Sequence, residues 1–393
     1  MHSNASSDPA RIPVVAAAVR TPIGRINGTL AAIEPASLAA PLIRRMLADT
    51  GLAPDAVDDV ILGNAANSAG NLARLAALEA GLPVAVPGLT VDRQCGSGLE
   101  AIALAARLVQ AGAGRFYLAG GTESTSRAHL RLRPPTLPGG MPEPVPRARM
   151  APDAIGDPDM GIAAENVAAH AGISRARQDA FALESHRRAV AARKAGRFDG
   201  EIVPVETPGG LVAQDECPRE NTSLEKLAGL KPAFRRKGTV TAGNACPVND
   251  GASVVLVTSL AAARTLGLAV LLEIVDSVTV GVDPNLLGLG PVPAVHKLAA
   301  RNAGLDAARV PFLEFNEAFA AQVLACLDCL GIDPAAVNRD GGALALGHPY
   351  GASGAILVTR LFAQMRDAEE GTAALAMMGI GGGMGITTLF RKV

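Results

Sequence analysis

Short apolar runs alternate with amphipathic stretches along most of the chain. Pro13–Val19 predicts a buried strand, and Ala36–Thr50 predicts a helix with one apolar face. The pattern continues with a strand at Val60–Gly63, a helix at Leu72–Gly81 and a strand at Gly88–Asp92. A helix from Ser97 to Gln110 and a strand at Arg115–Ala119 follow. Alternation of this kind implies βαβ units and a parallel sheet covered on both faces.

The rhythm breaks after Gly121. Residues 131–150 carry six prolines and four arginines, so no regular strand or helix is expected to cross them. Helical patterns return in GIAAENVAAHAG and in Ser174–Gly196, with Ser174 as N-cap. A loop-rich basic segment ending in LKPAFRRKGTVTAGN comes next, and the strand–helix rhythm resumes at Ser253–Thr258. The two ends of the chain echo each other. CGSGLEAIALAARLV precedes RFYLAGGTE, and GASGAILVTRLFAQM precedes TAALAMMGIGGG, about 256–259 residues later. Two echoes in the same order point to a duplicated core. The expected organisation is a first half of residues 1–121 plus 242–267, an excursion over 122–241, and a second half over 268–393. A duplicated core puts the active site at the interface of its halves.

Composition narrows the function. Of 393 residues 49% are hydrophobic and 19% charged, enough for a large core. Lys plus Arg total 36 against 37 for Asp plus Glu, and only 3% are aromatic. Neither a basic nucleic-acid surface nor a base-stacking platform is expected. No apolar run reaches the roughly 18 residues a membrane helix needs. The opening MHSNASSDPARIP lacks the apolar stretch of a secretory signal. Five cysteines make no disulfide framework, and the expected location is the cytoplasm.

Cys95 stands between a predicted strand and a helix that opens Gly96–Ser97–Gly98. Glycines there let a ligand approach the backbone, and the free N–H groups of a helix start favour an anion. The expectation is a nucleophilic thiol of lowered pKa. His348 is the one histidine of six in a Gly/Pro-rich turn just before a predicted helix, so it is the candidate base. FNEAFAAQ at 315–322 offers Asn316 to anchor a water or carbonyl and Glu317 to orient its neighbours. GIGGGMG at 379–385 is no dinucleotide loop, because only eight residues follow Gly385. Cys326 and Cys329 form CLDC inside a predicted helix without a second pair, which favours packing over metal. Met377 and Met378 are read as core.

RQCGSGLEAI around Cys95, NEAF at 316–319, GHPYGASG at 347–354 and the final GIGGGMG resemble the four active-site loops of the thiolases. TAGNACPVNDGAS, LKPAF and MGIAAENVA match as well, in order from Pro13 to the C-terminus. The resemblance implies an α/β thiolase fold: duplicated βαβαβαββ halves in a five-layered αβαβα core with an inserted loop domain. It implies a homodimer or homotetramer, with segment 131–150 as a surface loop contacting another subunit. Acyl-CoA thioesters are the implied substrates, with no tightly bound cofactor and no metal. By resemblance Cys95 is the acyl-accepting nucleophile and His348 its base, later holding an oxyanion with a water on Asn316. The N–H groups of Cys95 and Gly381 form a second oxyanion hole. Coenzyme A contacts fall to Met160, Arg219, Phe234, Ala242, Cys246, Ala318 and Phe319, with Arg219, Arg235, Arg236 and Lys237 near the nucleotide phosphates.

One position departs from the family. The second catalytic cysteine, which moves the α-carbon proton, corresponds to Gly379. Members that carry this cysteine in the NEAF loop place it where Ala318 stands. Cys246, in place of a usual serine, is a possible substitute. The implied reaction is formation or cleavage of a 3-ketoacyl-CoA. Decarboxylative condensation, acyl transfer to another acceptor, thioester hydrolysis and a non-catalytic acyl-CoA-binding subunit are the alternatives.

Overall fold

The computed structural model describes residues 8–67 and 70–393. His2 and the first seven residues of the opening segment lie outside this range. Nine strands make the main path of the sheet: β1 (Pro13–Arg20), β2 (Asp59–Gly63), β3 (Gly88–Val91), β4 (Phe116–Ser124), β5 (Asn249–Ser259), β6 (Leu272–Gly281), β7 (Phe312–Phe315), β8 (Ala373–Ile380) and β9 (Met384–Lys392). The helices that matter for the site are α1 (Pro35–Thr50), α2 (Leu72–Glu79), α3 (Ser97–Ala111), α4 (Met160–His170), α5 (Arg175–Lys194), α6 (Pro291–Arg301), α7 (Ala320–Leu330) and α8 (Tyr350–Gln364).

The duplication is written in the strand order. The first half runs β1-β5-β4-β2-β3 and the second runs β6-β9-β8-β7. Corresponding neighbours also pair in the same sense. β2 is parallel to β4 as β7 is to β8, and in each half the two contacts on the side toward the other half are antiparallel, so the sheet is mixed and not the parallel one that the strand–helix alternation implies. The halves join where β1 meets β6 antiparallel, through Val14–Glu273 and Val15–Leu272. The second half lacks a full counterpart of β3. A single parallel bridge from Leu313 to Val337 stands in its place.

β1 reads PVVAAAVR because both its faces are covered. Val14, Ala16 and Val19 enter a core shared with α1 and α2. Val15 and Ala18 enter a second core, filled by α3 and α8 and walled by strands of both halves. α6 and α7 cover the far face of the second half. The result is five layers, with α3 and α8 in the middle. Met377 and Met378 point to opposite faces of β8 and fill the third and second cores. Cys326 is buried in the third core and Cys329 is exposed. Among the described residues no cluster of His, Cys, Asp or Glu could hold a metal ion.

Several boundaries move. β4 continues past Gly121 to Ser124, and β5 already starts at Asn249, because Asp250–Ser124 through Thr258–Phe116 keep pairing. The Pro-rich segment contains one minimal pairing, Leu132–Arg133 with Glu143–Pro144. Ser174 caps α5, its hydroxyl accepting from the Arg177 N–H at 3.3 Å. Buried charges fasten the excursion to the core. Arg20 of β1 bonds Glu201 at 2.6 Å and Asp215 at 2.7 Å, and Arg360 of α8 bonds Glu201 and Asp340. Breaking such a fully buried cluster at one member leaves an unpaired charge and destabilises strongly.

Candidate active site

The glycines of CGSG and GASG bring two helices together rather than a ligand to the backbone. A Cβ on Gly98 would lie 2.6 Å from the Gly351 carbonyl, and one on Gly354 would lie 2.4 Å from the Leu99 nitrogen. The N-terminal ends of α3 and α8 therefore meet, and the residues just ahead of them, Cys95 and His348, line one cavity. Glu123 ties the junction from below. Its carboxylate accepts from the Gly351 N–H at 2.9 Å and from the Ala65 and Ala66 N–H groups at 2.9 and 3.0 Å.

Cys95 sits on a strained turn. Gln94 holds φ at +47°, a left-handed conformation uncommon outside glycine. The Asp92 carboxylate supports it, accepting from the Gln94 N–H at 2.7 Å. Ser97 adds a bond from the Arg93 N–H at 2.8 Å. The Cys95 thiol does not have the lowered pKa expected of a helix start. Burial pushes it up to about 11, against the Gly381 and Cys95 N–H groups that favour the thiolate and with added repulsion from Glu123 and Asp92. At neutral pH the Cys95 thiol is therefore protonated.

His348 is buried, and its backbone N–H donates to Asn249 Oδ1 at 2.8 Å. Its Nδ1 bonds Ser353 Oγ at 2.6 Å, and the Tyr350 ring packs edge-on at 5.3 Å. Asn316 Nδ2 lies 3.5 Å from Nε2. Burial lowers the imidazole pKa to about 4, so at neutral pH His348 can accept a proton at Nε2. Asn316 is buried behind the cavity wall, its N–H bonded to the Met377 carbonyl at 3.0 Å. Glu317 accepts from Ser185 Oγ at 2.6 Å, Asn338 Nδ2 at 2.7 Å and the Leu344 N–H at 3.1 Å, which locks the NEAF loop to the segment leading to His348.

These values set a pH dependence. Alkylation of Cys95 by iodoacetamide is expected to be slow at pH 7 and to climb toward pH 11, because the thiolate is the reactive form. Acylation by acetyl-CoA follows the base instead, level from about pH 5 to 9 and falling as pH drops through about 4, where His348 takes a proton. His348→Ala is expected to slow acylation by about 10²–10⁴-fold in a folded protein. Stopped-flow acylation across pH checks both, and a step near pH 6.5 contradicts the buried, neutral histidine.

The cavity, about 220 Å³, is lined by Cys95, His348, Gly379, Gly381 and Cys246, with Met160, Phe234, Ala318 and Phe319 as its apolar wall. Phe234 and Phe319 meet edge to face at 6.1 Å. Arg219 and Ala242 lie elsewhere. They line a neighbouring cavity with Arg25 and His186 that shares Ala245 and Pro247 with the first. His186 Nδ1 accepts from the Arg219 N–H at 3.2 Å. Arg235, Arg236 and Lys237 are exposed, and Arg235 bonds Asn166 at 2.6 Å. Cys246 donates its N–H to the Ala318 carbonyl at 3.0 Å. Its thiol is pushed up by burial and then by Cys95 beside it. Sequence reasoning missed Ser353, Asn249 and Gln322. Ser353 was hidden inside a motif read only for its glycines.

Two family models cover the chain, the thiolase N-terminal domain over residues 13–261 and the thiolase C-terminal domain over residues 268–392. The chain belongs to the thiolase family and is an acyltransferase. VraB of Staphylococcus aureus (strain MRSA252), an inferred acetyl-CoA C-acetyltransferase, is 46% identical over 381 residues, covering 96% of this chain and 99% of its own. VraB of Staphylococcus haemolyticus is 45% identical over the same length, covering 96% of this chain and 98% of its own. The crystal structure of the Bacillus anthracis acetyl-CoA acetyltransferase superposes with a TM-score of 0.89 at 38% identity, covering 98% of this chain and 99% of that one. Among the described residues no helix is long and apolar enough to cross a membrane.

Proposed function

We propose that the chain transfers acyl groups between coenzyme A thioesters through an acyl-enzyme on Cys95. The carrying observation is that Cys95, His348 and the Gly381 backbone share one apolar cavity. Cys95 Sγ attacks the thioester carbonyl while His348 Nε2 takes the thiol proton. Collapse of the tetrahedral adduct expels coenzyme A, which leaves as the thiol with that proton. The N–H groups of Cys95 and Gly381 then hold the acyl oxygen. The α-carbanion of a second acyl-CoA attacks this carbonyl. The Cys95–carbon bond breaks, the thiolate is reprotonated, and a 3-ketoacyl-CoA departs. His348 and a water on Asn316 hold the enolate oxygen of that second substrate. Thiolysis is the same path reversed. Coenzyme A thioesters are substrates in this reading, not resident cofactors, and the enzyme is a cytoplasmic homodimer or homotetramer.

Gly379 favours a second reading of the carbanion step. It supplies no acid or base, and the strongest influences on Cys246 are burial and Cys95, both favouring its neutral thiol. A carbanion formed by loss of carbon dioxide from a carboxylated acyl-CoA needs no base at that carbon. The test is mass spectrometry after acetyl-CoA, followed by product analysis with and without malonyl-CoA. An acetyl adduct on Cys95 and acetoacetyl-CoA are expected. Product only with malonyl-CoA selects the decarboxylative route. No adduct on Cys95 overturns the acyl-enzyme.

A further inference from the structure

Tyr350 opens α8, and its N–H donates to the His348 carbonyl at 2.9 Å. Its half-buried ring meets the His348 ring edge to face at 5.3 Å and lines the cavity that holds Cys95 and Gly379. It carries the one hydroxyl among the lining side chains. That hydroxyl takes no hydrogen bond from or to any other described residue. After burial, the strongest influences on it are the Cys246 and Cys95 thiols and then Glu123, and all of these hold it as a neutral phenol. The hydroxyl thus stands on the side of the cavity where the two thiols are.

A neutral phenol is a poor base but a sufficient acid toward a carbanion. Splitting a 3-ketoacyl-CoA creates such a carbanion, and it departs only once its α-carbon has gained a proton. Gly379 has none to give. His348 holds the proton of Cys95, and among the described lining residues there is no Lys, Arg, Asp or Glu. The phenol fills the vacancy.

We propose that Tyr350 is the acid of the cleavage step, its Oη giving a proton to the α-carbon of the departing acyl-CoA. The inference rests on the reading that Cys95 attacks the ketone carbonyl. His348 takes the Cys95 proton, the carbon–sulfur bond forms, and the bond between the ketone carbon and the α-carbon breaks. The electron pair of that bond takes the Tyr350 proton, which leaves an acyl-CoA and a phenolate. The phenolate recovers the proton held by His348, whose ring it borders, before coenzyme A attacks the acyl-enzyme. The reverse step must start from the scarce phenolate. Removal of an α-proton is therefore slow where its delivery is fast.

Thiolysis of acetoacetyl-CoA by coenzyme A is followed in the native chain, Tyr350→Phe, Cys246→Ser, and Tyr350→Phe combined with Gly379→Cys. Phenylalanine keeps the ring against His348 and removes only the hydroxyl. Tyr350→Phe is expected to lower kcat by about 10²–10⁴-fold, and the cysteine at 379, a donor in the same cavity, to recover at least about tenfold of it. Acetylation of Cys95 by acetyl-CoA breaks no carbon–carbon bond and is expected to persist in Tyr350→Phe. Thiolysis that is retained in Tyr350→Phe, absent from the native chain, or lost in Cys246→Ser alone overturns the proposal. Loss of both reactions in Tyr350→Phe, without recovery in the double variant, is a packing defect and overturns it too. Thiolysis is read on substrate consumed, so a missing acyl adduct on the native Cys95 would sink the acyl-enzyme without touching this result.

Discussion

Cys95→Ser is expected to abolish the acyl-enzyme and to lower acyl transfer by at least about 10³-fold. Burial pushes the thiol up to about 11, so the proposed mechanism relies on His348 to take its proton as the carbonyl approaches. A serine hydroxyl is far less acidic, and its oxygen lies on a shorter bond to Cβ. The same imidazole, lowered to about 4 by burial, is too weak a base to activate it. The fold has no comparable stake in the sulfur. Cys95 only packs at the margin of the central core, and serine preserves the turn held by Asp92 and Ser97. Intact mass after acetyl-CoA should show no adduct, while circular dichroism and the dissociation constant for coenzyme A stay close to native. Full acetylation of the serine variant would move the nucleophile elsewhere.

The sequence carried the positions of the chemistry better than its electrostatics. The recurrence of glycines at Gly98 and Gly354 marked two equivalent helices, and those helices meet at these glycines. Periodicity also placed β1 and α1 to within a residue, because a strand buried on both faces and a helix buried on one leave distinct patterns. The loss of a β3 counterpart near Val337 was not legible. Pairing is decided between segments far apart in the chain, and a four-residue apolar run is compatible with strand or turn. The Cys95 pKa went in the opposite direction to the expectation. A helix start acts within a turn and is readable from neighbours. Burial depends on segments that share the cavity with Cys95, Cys246, Tyr350 and the NEAF loop among them, and all of these lie far along the chain from it.

The largest gain of function is expected from Gly379→Cys. A Cβ at this position meets no atom closer than 3.5 Å, and Gly379 does not hold a left-handed conformation, so the side chain enters without strain. It projects into the cavity that holds Cys95 and His348. A thiol there supplies an acid/base beside the acyl group that the native residue lacks. Exchange of the acetyl-CoA methyl protons with deuterated water is expected to rise by about 10²–10⁴-fold, the usual range for one positioned acid/base. Cys246 is the competing explanation for any exchange by the native chain. Its thiol is held neutral by burial and by Cys95, with Glu317 and Cys217 adding to the effect. Cys246→Ser is therefore expected to leave exchange unchanged. Rapid native exchange that disappears in Cys246→Ser would reverse this assignment and make Cys246 the substitute base. Slow native exchange, together with a gain in Gly379→Cys, leaves the native carbanion to be made by another bond-breaking step. Loss of neutral carbon dioxide is such a step, because the cavity lining offers no Lys or Arg to stabilise the carboxylate of the bound substrate before it breaks away.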